Sequence, residues 1–165
     1  MQMAELLPTR RRMRLPDYDY AAVGGYFVTL CIHGRHNVFG RVENGVMLLN
    51  SAGEMVQDVL CELNGHFEGG YLDRYVVMPN HVHFIWVNRC GRVNLSNVVQ
   101  WLKIVSTNRY IRGVKESGWP AFEGKLWQRG FHDHVIRNEA DYFRIAEYIA
   151  NNPLQWHLDT LYREN

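Results

Sequence analysis

Hydrophobic and polar residues follow two different periods along this chain, and each period predicts one type of secondary structure. Runs rich in β-branched and aromatic residues predict strands. Such runs occupy residues 25–34, 71–79, 81–87 and 126–137. Residues 38–50 hold two shorter runs around Asn44-Gly45, a dipeptide typical of a hairpin turn. The chain therefore predicts four long strands and one additional short hairpin.

Apolar residues spaced three and four positions apart predict three helices between and after these strands. Residues that cap helix N-termini precede each apolar series, and glycine or proline follows the first and the last series. The predicted N-caps are Ser51, Ser96 and Asn138, and the predicted ends lie near Gly65 for the first helix and Pro153 for the third. Residues 113–125 have the composition of a loop.

The order of these elements predicts the fold class. The first six long elements follow the order β-α-β-β-α-β, which is the ferredoxin-like arrangement of an antiparallel sheet with helices on one face. We therefore predict an α+β fold, with a C-terminal helix added to that arrangement. No linker or repeat divides the sequence, so residues 1–165 are interpreted as a single domain, with residues 1–24 as a basic N-terminal arm.

Composition narrows the class of protein. With 165 residues, 47% of them hydrophobic, the chain is long enough for one core. Its three cysteines form no CxxC pair, which argues against a disulfide framework or a cysteine zinc site. No segment has the length and apolar character of a signal peptide or a membrane span, so we expect a cytoplasmic protein with no membrane partner.

Two histidines stand one residue apart in the apolar run "YVVMPNHVHFIW" (75–86). Side chains two positions apart on a strand point to the same face, so His81 and His83 should project together, about 7 Å apart along the strand. Two imidazoles on one face can bind a metal ion, or they can belong to the polar face of a half-buried sheet. The pair alone does not decide between these alternatives.

The last predicted helix carries two polar residues, Tyr148 and Asn152, that could act together with the two histidines. Its apolar arc, expected to face the sheet, consists of Tyr142, Phe143, Ile145, Ala146, Ile149 and Ala150. Tyr148 lies on the polar side, one turn before Asn152. Tyr148 could be an ordinary surface residue. Alternatively, a metal ion held by two imidazoles and an amide oxygen could polarise a phosphodiester that the phenol attacks.

Three blocks of the sequence carry a resemblance to a known family. They are "YFVTLCIHGR", "YVVMPNHVHFIW" with its His-hydrophobe-His signature, and "LWQRGFHDHVIRNEADYFRIAEYIANNP". In this order and at this chain length, they resemble the HUH-type single-tyrosine transposases, and within them the REP-associated tyrosine transposases of bacteria.

The resemblance implies a specific activity. Enzymes of this kind cut single-stranded DNA hairpins (REP-like) and rejoin the strands through a covalent 5′-phosphotyrosine, assisted by Mg²⁺ or Mn²⁺. By motif, Tyr148 is then the nucleophile, His81 and His83 are metal ligands, and Asn152 is the third ligand. The REP-associated branch also implies a monomer rather than a dimer with exchanged tyrosine helices.

Basic residues are the candidate DNA contacts, because arginine and lysine bind phosphates. The resemblance implies that an N-terminal region contributes, and lysine and arginine outnumber acidic residues between positions 101 and 137. The candidates are Arg10, Arg11, Arg12 and Arg14 in the arm, and Lys103, Arg109, Arg112 and Arg129 further along. Trp127 or Phe131 could stack on a base, although core packing is the better expectation for both.

Four alternatives can be compared with the same residues. A histidine-triad nucleotide hydrolase requires His-x-His-x-His, but the third position is Ile85. A zinc hydrolase requires a carboxylate, and none follows at a matching place. The aromatic pattern of an RNA-binding sheet is absent. A relative that binds hairpins without cutting them remains an alternative.

A second His-x-His pair, His132 and His134, is also present. We expect this pair to support the site or face DNA at most.

Overall fold

The computed structural model describes residues 15–164, which form an α+β fold. Six strands are present: β1 (Gly24–Cys31), β2 (Gly40–Glu43), β3 (Val46–Leu49), β4 (Gly70–Met78), β5 (His81–Asn88) and β6 (His132–Ile136). Three helices accompany them: α1 (Ser51–His66), α2 (Leu95–Ser117) and α3 (Glu139–Asn151). The predicted α+β class, with a four-stranded antiparallel sheet and three helices in the predicted order, is confirmed. No helix among the described residues has the length and apolar character that crossing a membrane would require.

The main sheet has four strands in the order β4-β5-β1-β6, and every neighbouring pair is antiparallel. Strands β4 and β5 form the predicted hairpin around Pro79. Strand β1 pairs with β5 so that Thr29 lies opposite His83 and Cys31 lies opposite His81. Strands β2 and β3 form a separate hairpin, as the Asn44-Gly45 dipeptide predicts. The two histidines thus begin a central strand, next to the end of β1.

One face of the sheet is covered by α1 and α2. The side chains of Val82, Phe84 and Trp86 in β5 point to this face and are fully buried. They pack with the apolar faces of both helices, which supply Val56, Val59, Leu60, Leu63, Val98, Val99 and Leu102 among others. Burial of apolar area on this scale is the main stabilising contribution to such a core.

The opposite face of the sheet is covered by α3. Ile145 and Ile149 pack against Ile85 of β5 in a second, smaller cluster. Because β5 alternates its side chains, His81 and His83 share this face with Ile85. The predicted apolar arc of α3 was too wide, since Phe143 is 58% exposed and the buried residues of the helix are Ile145 and Ile149.

Several predicted boundaries were wrong, each for a local reason. The N-caps of α1 and α2 are Asn50 and Asn94, whose side chains accept hydrogen bonds from the backbone N–H groups of Gly53 and Ser96. Helix α2 runs to Ser117, into the predicted loop, and stops at the left-handed Gly118. Strand β6 is shorter than predicted.

Residue Gly130 explains why β6 begins late. Its φ of 82° interrupts the extended conformation, so the regular strand starts at His132. Upstream of this break, Trp127 makes only an isolated bridge to Ile32. The predicted third cap was correct, because the Asn138 side chain accepts a hydrogen bond from the N–H of Asp141.

Candidate active site

The two histidines of β5 are buried rather than lying on a polar face. His81 is 0% exposed and His83 is 3% exposed, and their ring centroids are 4.5 Å apart. Of the two alternatives for the pair, the polar face of a half-buried sheet is therefore excluded, because α3 and the C-terminal residues after it cover this side of the sheet. The ring of Trp156, which follows α3, lies 5.8 Å from the ring of His81.

Each imidazole is oriented through its Nδ1 atom. Nδ1 of His83 is 2.7 Å from Oγ1 of Thr29, the residue opposite it on β1. Nδ1 of His81 is 2.8 Å from Oδ1 of Asn80. The Asn80 amide in turn donates to the backbone oxygens of Arg35 and Leu161 at 3.2 and 2.8 Å. These contacts fix the direction in which the Nε2 atoms point.

Three of the buried side-chain polar atoms that have no hydrogen-bond partner among the described residues belong to this site. They are Nε2 of His81, Nε2 of His83 and Oδ1 of Asn152. Asn152 follows α3 directly and is 2% exposed. Unpartnered buried polar atoms are costly, so their occurrence together needs an explanation.

Sequence reasoning missed a carboxylate at this position. Asp159 lies in the C-terminal residues, with Oδ2 4.0 Å from Nε2 of His81. Nδ2 of Asn152 donates to the same oxygen at 3.4 Å. One atom from each of His81, His83 and Asp159 lies within 4.8 Å of the others. The expectation that no carboxylate accompanies the histidines was therefore wrong.

Burial keeps both imidazoles neutral. It lowers the pKa of His81 from 6.5 to about 4, although the negative charge of Asp159 and the Asn152 amide oppose the shift. Burial also holds the pKa of His83 well below 6.5, and the neighbouring His81 lowers it further. Neutral imidazoles have a free lone pair on the nitrogen that carries no proton, which metal coordination requires.

Tyr148 lies beside the histidines at the edge of the buried region. Its ring centroid is 5.3 Å from that of His83 and 6.1 Å from that of Phe27, and the residue is 40% exposed. Burial raises the pKa of the phenol above 10, and the charge of Asp159 raises it further, while a hydrogen bond with Asn152 lowers it. The phenol is therefore open to solvent on one side and close to the histidines on the other.

The chemistry of these donors fits a divalent cation. A nitrogen of each neutral imidazole and a carboxylate oxygen of Asp159 lie within 4.8 Å of one another, and the neighbouring Asn152 amide contacts the same carboxylate. Mixed nitrogen and oxygen sets of this kind suit first-row divalent metals such as Mn²⁺, and the oxygen donors also suit Mg²⁺. A bound cation would provide a partner for the buried Nε2 atoms of both histidines.

The predicted DNA contacts have varied surroundings. Arg10, Arg11, Arg12 and Arg14 lie outside the described residues. Lys103 donates from Nζ to the backbone oxygens of Gln128 and Gly130 at 2.8 and 2.5 Å, and burial lowers its pKa to about 8. Arg109 makes a two-bond ion pair with Glu62 of α1 at 2.6 and 2.8 Å. Lys103 and Arg109 thus both have partners within the protein.

The remaining candidates divide between surface and core. Arg112 and Arg129 are exposed. Trp127 and Phe131 are buried, which confirms the expectation of core packing for both. Neither ring is available to stack on a base. His134 is paired at 2.7 Å with Asp141 at the start of α3, where it is partly exposed.

Comparison with known proteins shows the family of this chain. Residues 26–152 match the family model described as "Transposase IS200 like". An uncharacterised protein of Haemophilus influenzae is 32% identical over 169 residues, covering 93% of both chains. The REP-associated tyrosine transposase of Escherichia coli K12 is 25% identical over 156 residues, covering 88% of this chain and 81% of that one.

Two solved structures share the fold. A REP-associated tyrosine transposase bound to a REP hairpin superposes with a TM-score of 0.62 at 23% identity, covering 86% of this chain and 73% of that chain. A putative transposase of Deinococcus radiodurans gives a TM-score of 0.52 at 21% identity, covering 84% and 97%. The resemblance that the three sequence blocks indicate is confirmed by these matches, and the chain belongs to the IS200-like transposase family.

Proposed function

We propose that this protein is a metal-dependent enzyme that cuts and rejoins single-stranded DNA at REP-like hairpins, with Tyr148 as its nucleophile. The observation that carries the proposal is the position of Tyr148, whose ring packs 5.3 Å from that of His83 in the same chain. A partly exposed phenol next to convergent, unpartnered metal donors is what a covalent phosphoryl transfer requires. The hairpin-binding relative of the same fold supports the choice of substrate.

In this proposal His81, His83, Asn152 and Asp159 hold Mg²⁺ or Mn²⁺. Thr29 and Asn80 are positioning residues, because they bind the Nδ1 atoms and leave the Nε2 atoms free. When bound, the cation supplies positive charge that polarises the scissile phosphate and stabilises charge in the transition state.

The phenol oxygen of Tyr148 then loses its proton and attacks the phosphorus, forming one P–O bond, and the bond to the departing 3′ oxygen breaks as that oxygen takes up a proton. The products are a 5′-phosphotyrosine and a free 3′-hydroxyl. Without DNA, burial and the charge of Asp159 keep the phenol of Tyr148 protonated, because both raise its pKa. The hydrogen bond from Asn152 favours the ionised phenol and therefore lowers this pKa. Attack by a 3′-hydroxyl reverses the reaction and rejoins the strands.

The proposed enzyme works as a monomer in the cytoplasm, and residues 1–165 act as one domain with a basic N-terminal arm at residues 1–24. Tyr148 and both histidines are already neighbours within one chain, so no second copy is needed to complete the site.

The candidate DNA contacts that remain are Arg10, Arg11, Arg12, Arg14 and Arg129. Lys103 and Arg109 also remain candidate DNA contacts, but each would have to bind DNA while keeping its hydrogen bonds within the protein.

The test is a covalent-adduct assay. The protein is mixed with 3′-labelled single-stranded DNA hairpins from the repeats and Mn²⁺, and the products are separated on a denaturing gel. The label should stay on the protein, and it should disappear with Tyr148→Phe but be retained with Tyr71→Phe, a half-buried tyrosine on β4. Tight hairpin binding without an adduct would instead support the non-catalytic binding protein.

A further inference from the structure

The proposed reaction contains one proton transfer to which no residue has been assigned. When the phenol of Tyr148 attacks the phosphorus, the departing 3′ oxygen must take up a proton. An alkoxide leaves poorly without one, because the pKa of an alcohol is close to that of water, about 15.7. A donor placed beside the departing atom typically accelerates such a step by about 10²–10⁴. His81 and His83 are used as metal ligands, so they are not available for this task.

His132 lies in line with Thr29 and His83 across the sheet. Thr29 of β1 is opposite His83 on one side and opposite His132 of β6 on the other. Side chains of directly opposite residues project to the same face of a sheet, so His132 shares the face of the metal ligands. The contact of His134 with Asp141 of α3 agrees, because residues two apart on β6 share a face. Two strand spacings place His132 about 10 Å from His83.

The ring of His132 is open to solvent and is not engaged by the protein. His132 is exposed, and its ring makes no hydrogen bond or ion pair with the part of the chain that the structure describes. Helix α3 packs towards the other edge of the sheet, where the Tyr142 hydroxyl donates to Asp73 of β4 at 2.6 Å. Of the two histidines of β6, His134 is paired and His132 is available.

The backbone in front of His132 is fixed by contacts with two other elements. Lys103 of α2 donates from Nζ to the backbone oxygen of Gly130. The backbone N–H of Gln128 donates to the backbone oxygen of Cys31, at the end of β1, at 2.8 Å. The start of β6 is therefore held against α2 and β1, which gives the His132 ring a defined place beside the site.

Tyr148 and His132 lie on different sides of Thr29. An in-line displacement places the attacking and departing oxygens on opposite sides of the phosphorus. The Tyr148 ring packs 5.3 Å from that of His83, whereas His132 lies on the strand beyond Thr29. A phosphate between them has the attacking phenol on one side and an imidazole on the other. Imidazole is suited to this position because it can hold and release a proton near neutral pH.

From this arrangement we infer that His132 is the catalytic acid that protonates the departing 3′ oxygen. The phenol of Tyr148 loses its proton to water, and its oxygen forms the new bond to phosphorus. The electron pair of the breaking P–O bond goes to the 3′ oxygen, which takes a proton from the imidazolium of His132. During rejoining, the neutral imidazole takes that proton from the attacking 3′-hydroxyl, and the released phenol oxygen regains a proton from water. The inference rests on the proposed function for the reaction itself.

The experiment replaces the departing oxygen by sulfur. A 3′-bridging sulfur is placed at the cut that is mapped with ordinary hairpin DNA, and formation of the Tyr148 adduct is timed in Mn²⁺. A thiol has a pKa of about 8.5, so a thiolate departs without receiving a proton. The variant is His132→Gln. Its matched control is His66→Gln, which changes an exposed histidine at the end of α1, on the opposite face of the sheet.

We expect His132→Gln to slow adduct formation on ordinary DNA by about 100-fold or more. On the sulfur DNA it should react at nearly the rate of the unaltered protein, which also shows that the variant is folded. The control should match the unaltered protein on both DNAs. A His132→Gln protein that is equally slow on both DNAs, or that cuts ordinary DNA at the normal rate, overturns the inference.

A second measurement uses the unaltered protein and therefore does not depend on a variant that folds. Heavy water should slow adduct formation on ordinary DNA more than on sulfur DNA, because only the departing oxygen receives a proton. Equal slowing of the two DNAs overturns the inference. An unaltered protein that forms no adduct with either DNA refutes the proposed function and this inference together, whereas the outcomes for His132→Gln refute only the assignment of the acid.

Discussion

The buried histidines should make the metal-free protein less stable as the pH falls. An unfolded chain binds a proton at His81 below about pH 6.5, whereas the folded chain binds it only below about pH 4 because the imidazole is buried. Between these values protons bind the unfolded state more than the folded state, so the free energy of unfolding must decrease as the pH is lowered. Below about pH 4 the contribution of His81 should level off.

The size of the effect follows from the pKa difference. One pKa unit corresponds to about 1.4 kcal/mol, so lowering the pKa of His81 from 6.5 to about 4 removes about 3 kcal/mol across this range. His83 adds to the loss with the same sign, because its pKa is also lowered by burial. Typical domains have a total stability of about 5–15 kcal/mol, so the loss is large enough to measure.

Urea unfolding followed by tryptophan fluorescence, with a chelator present and the pH lowered from about 7 to about 4.5, measures this loss. This range excludes Asp141, whose pKa is lowered by His134 and Arg144 and whose stabilisation is lost only below its ordinary value of 3.8. The variant His81→Gln should retain only the part due to His83, and the exposed His132→Gln should behave like the unaltered protein. An unfolding free energy that stays constant or rises on acidification would refute the reasoning.

The further predictions concern four single residues. Asp159→Asn should weaken Mn²⁺ binding, measured by calorimetry, by about tenfold or more, since even supporting residues of metal sites carry effects of roughly 10- to 100-fold; Asp58→Asn, an exposed change on α1, should leave the affinity unchanged. Arg109→Ala should cost at most about 1 kcal/mol in urea unfolding, because its ion pair with Glu62 is partly exposed. Gly65→Ala should stabilise α1 by up to about 1 kcal/mol, since nothing lies within 4 Å of the added carbon. Gly53→Ala should instead lower the melting temperature, because its added carbon would lie 2.2 Å from the backbone oxygen of Phe39.

Local sequence signals were sufficient for much of the architecture. The Met78-Pro79-Asn80 turn, the Asn44-Gly45 turn and the Asn138 cap each depend on residues close in sequence, and all three are found in the structure. The shared direction of His81 and His83 follows from strand geometry alone. The first two helices begin one or two residues earlier than predicted, because Asn50 and Asn94 are the N-caps rather than Ser51 and Ser96.

The environment of the site could not be predicted in the same way. The burial of both histidines depends on α3 and Trp156 crossing that face, which is a long-range contact. The continuous apolar run around them was nevertheless a signal of a strand covered on both faces. Asp159 belongs to no motif in the sequence. Its approach to His81 depends on the path of the chain after Pro153, although its position seven residues beyond Asn152 kept it within reach.

The central claim is that Tyr148 and the buried histidines form one catalytic site. Its most direct test is to digest the protein after reaction with a hairpin and Mn²⁺, and to identify the nucleotide-bearing residue by mass spectrometry. The account predicts phosphotyrosine-linked DNA at Tyr148, and none when His81 and His83 are both replaced by glutamine. DNA attached at another tyrosine, or at Tyr148 in the protein that lacks both histidines, would contradict it.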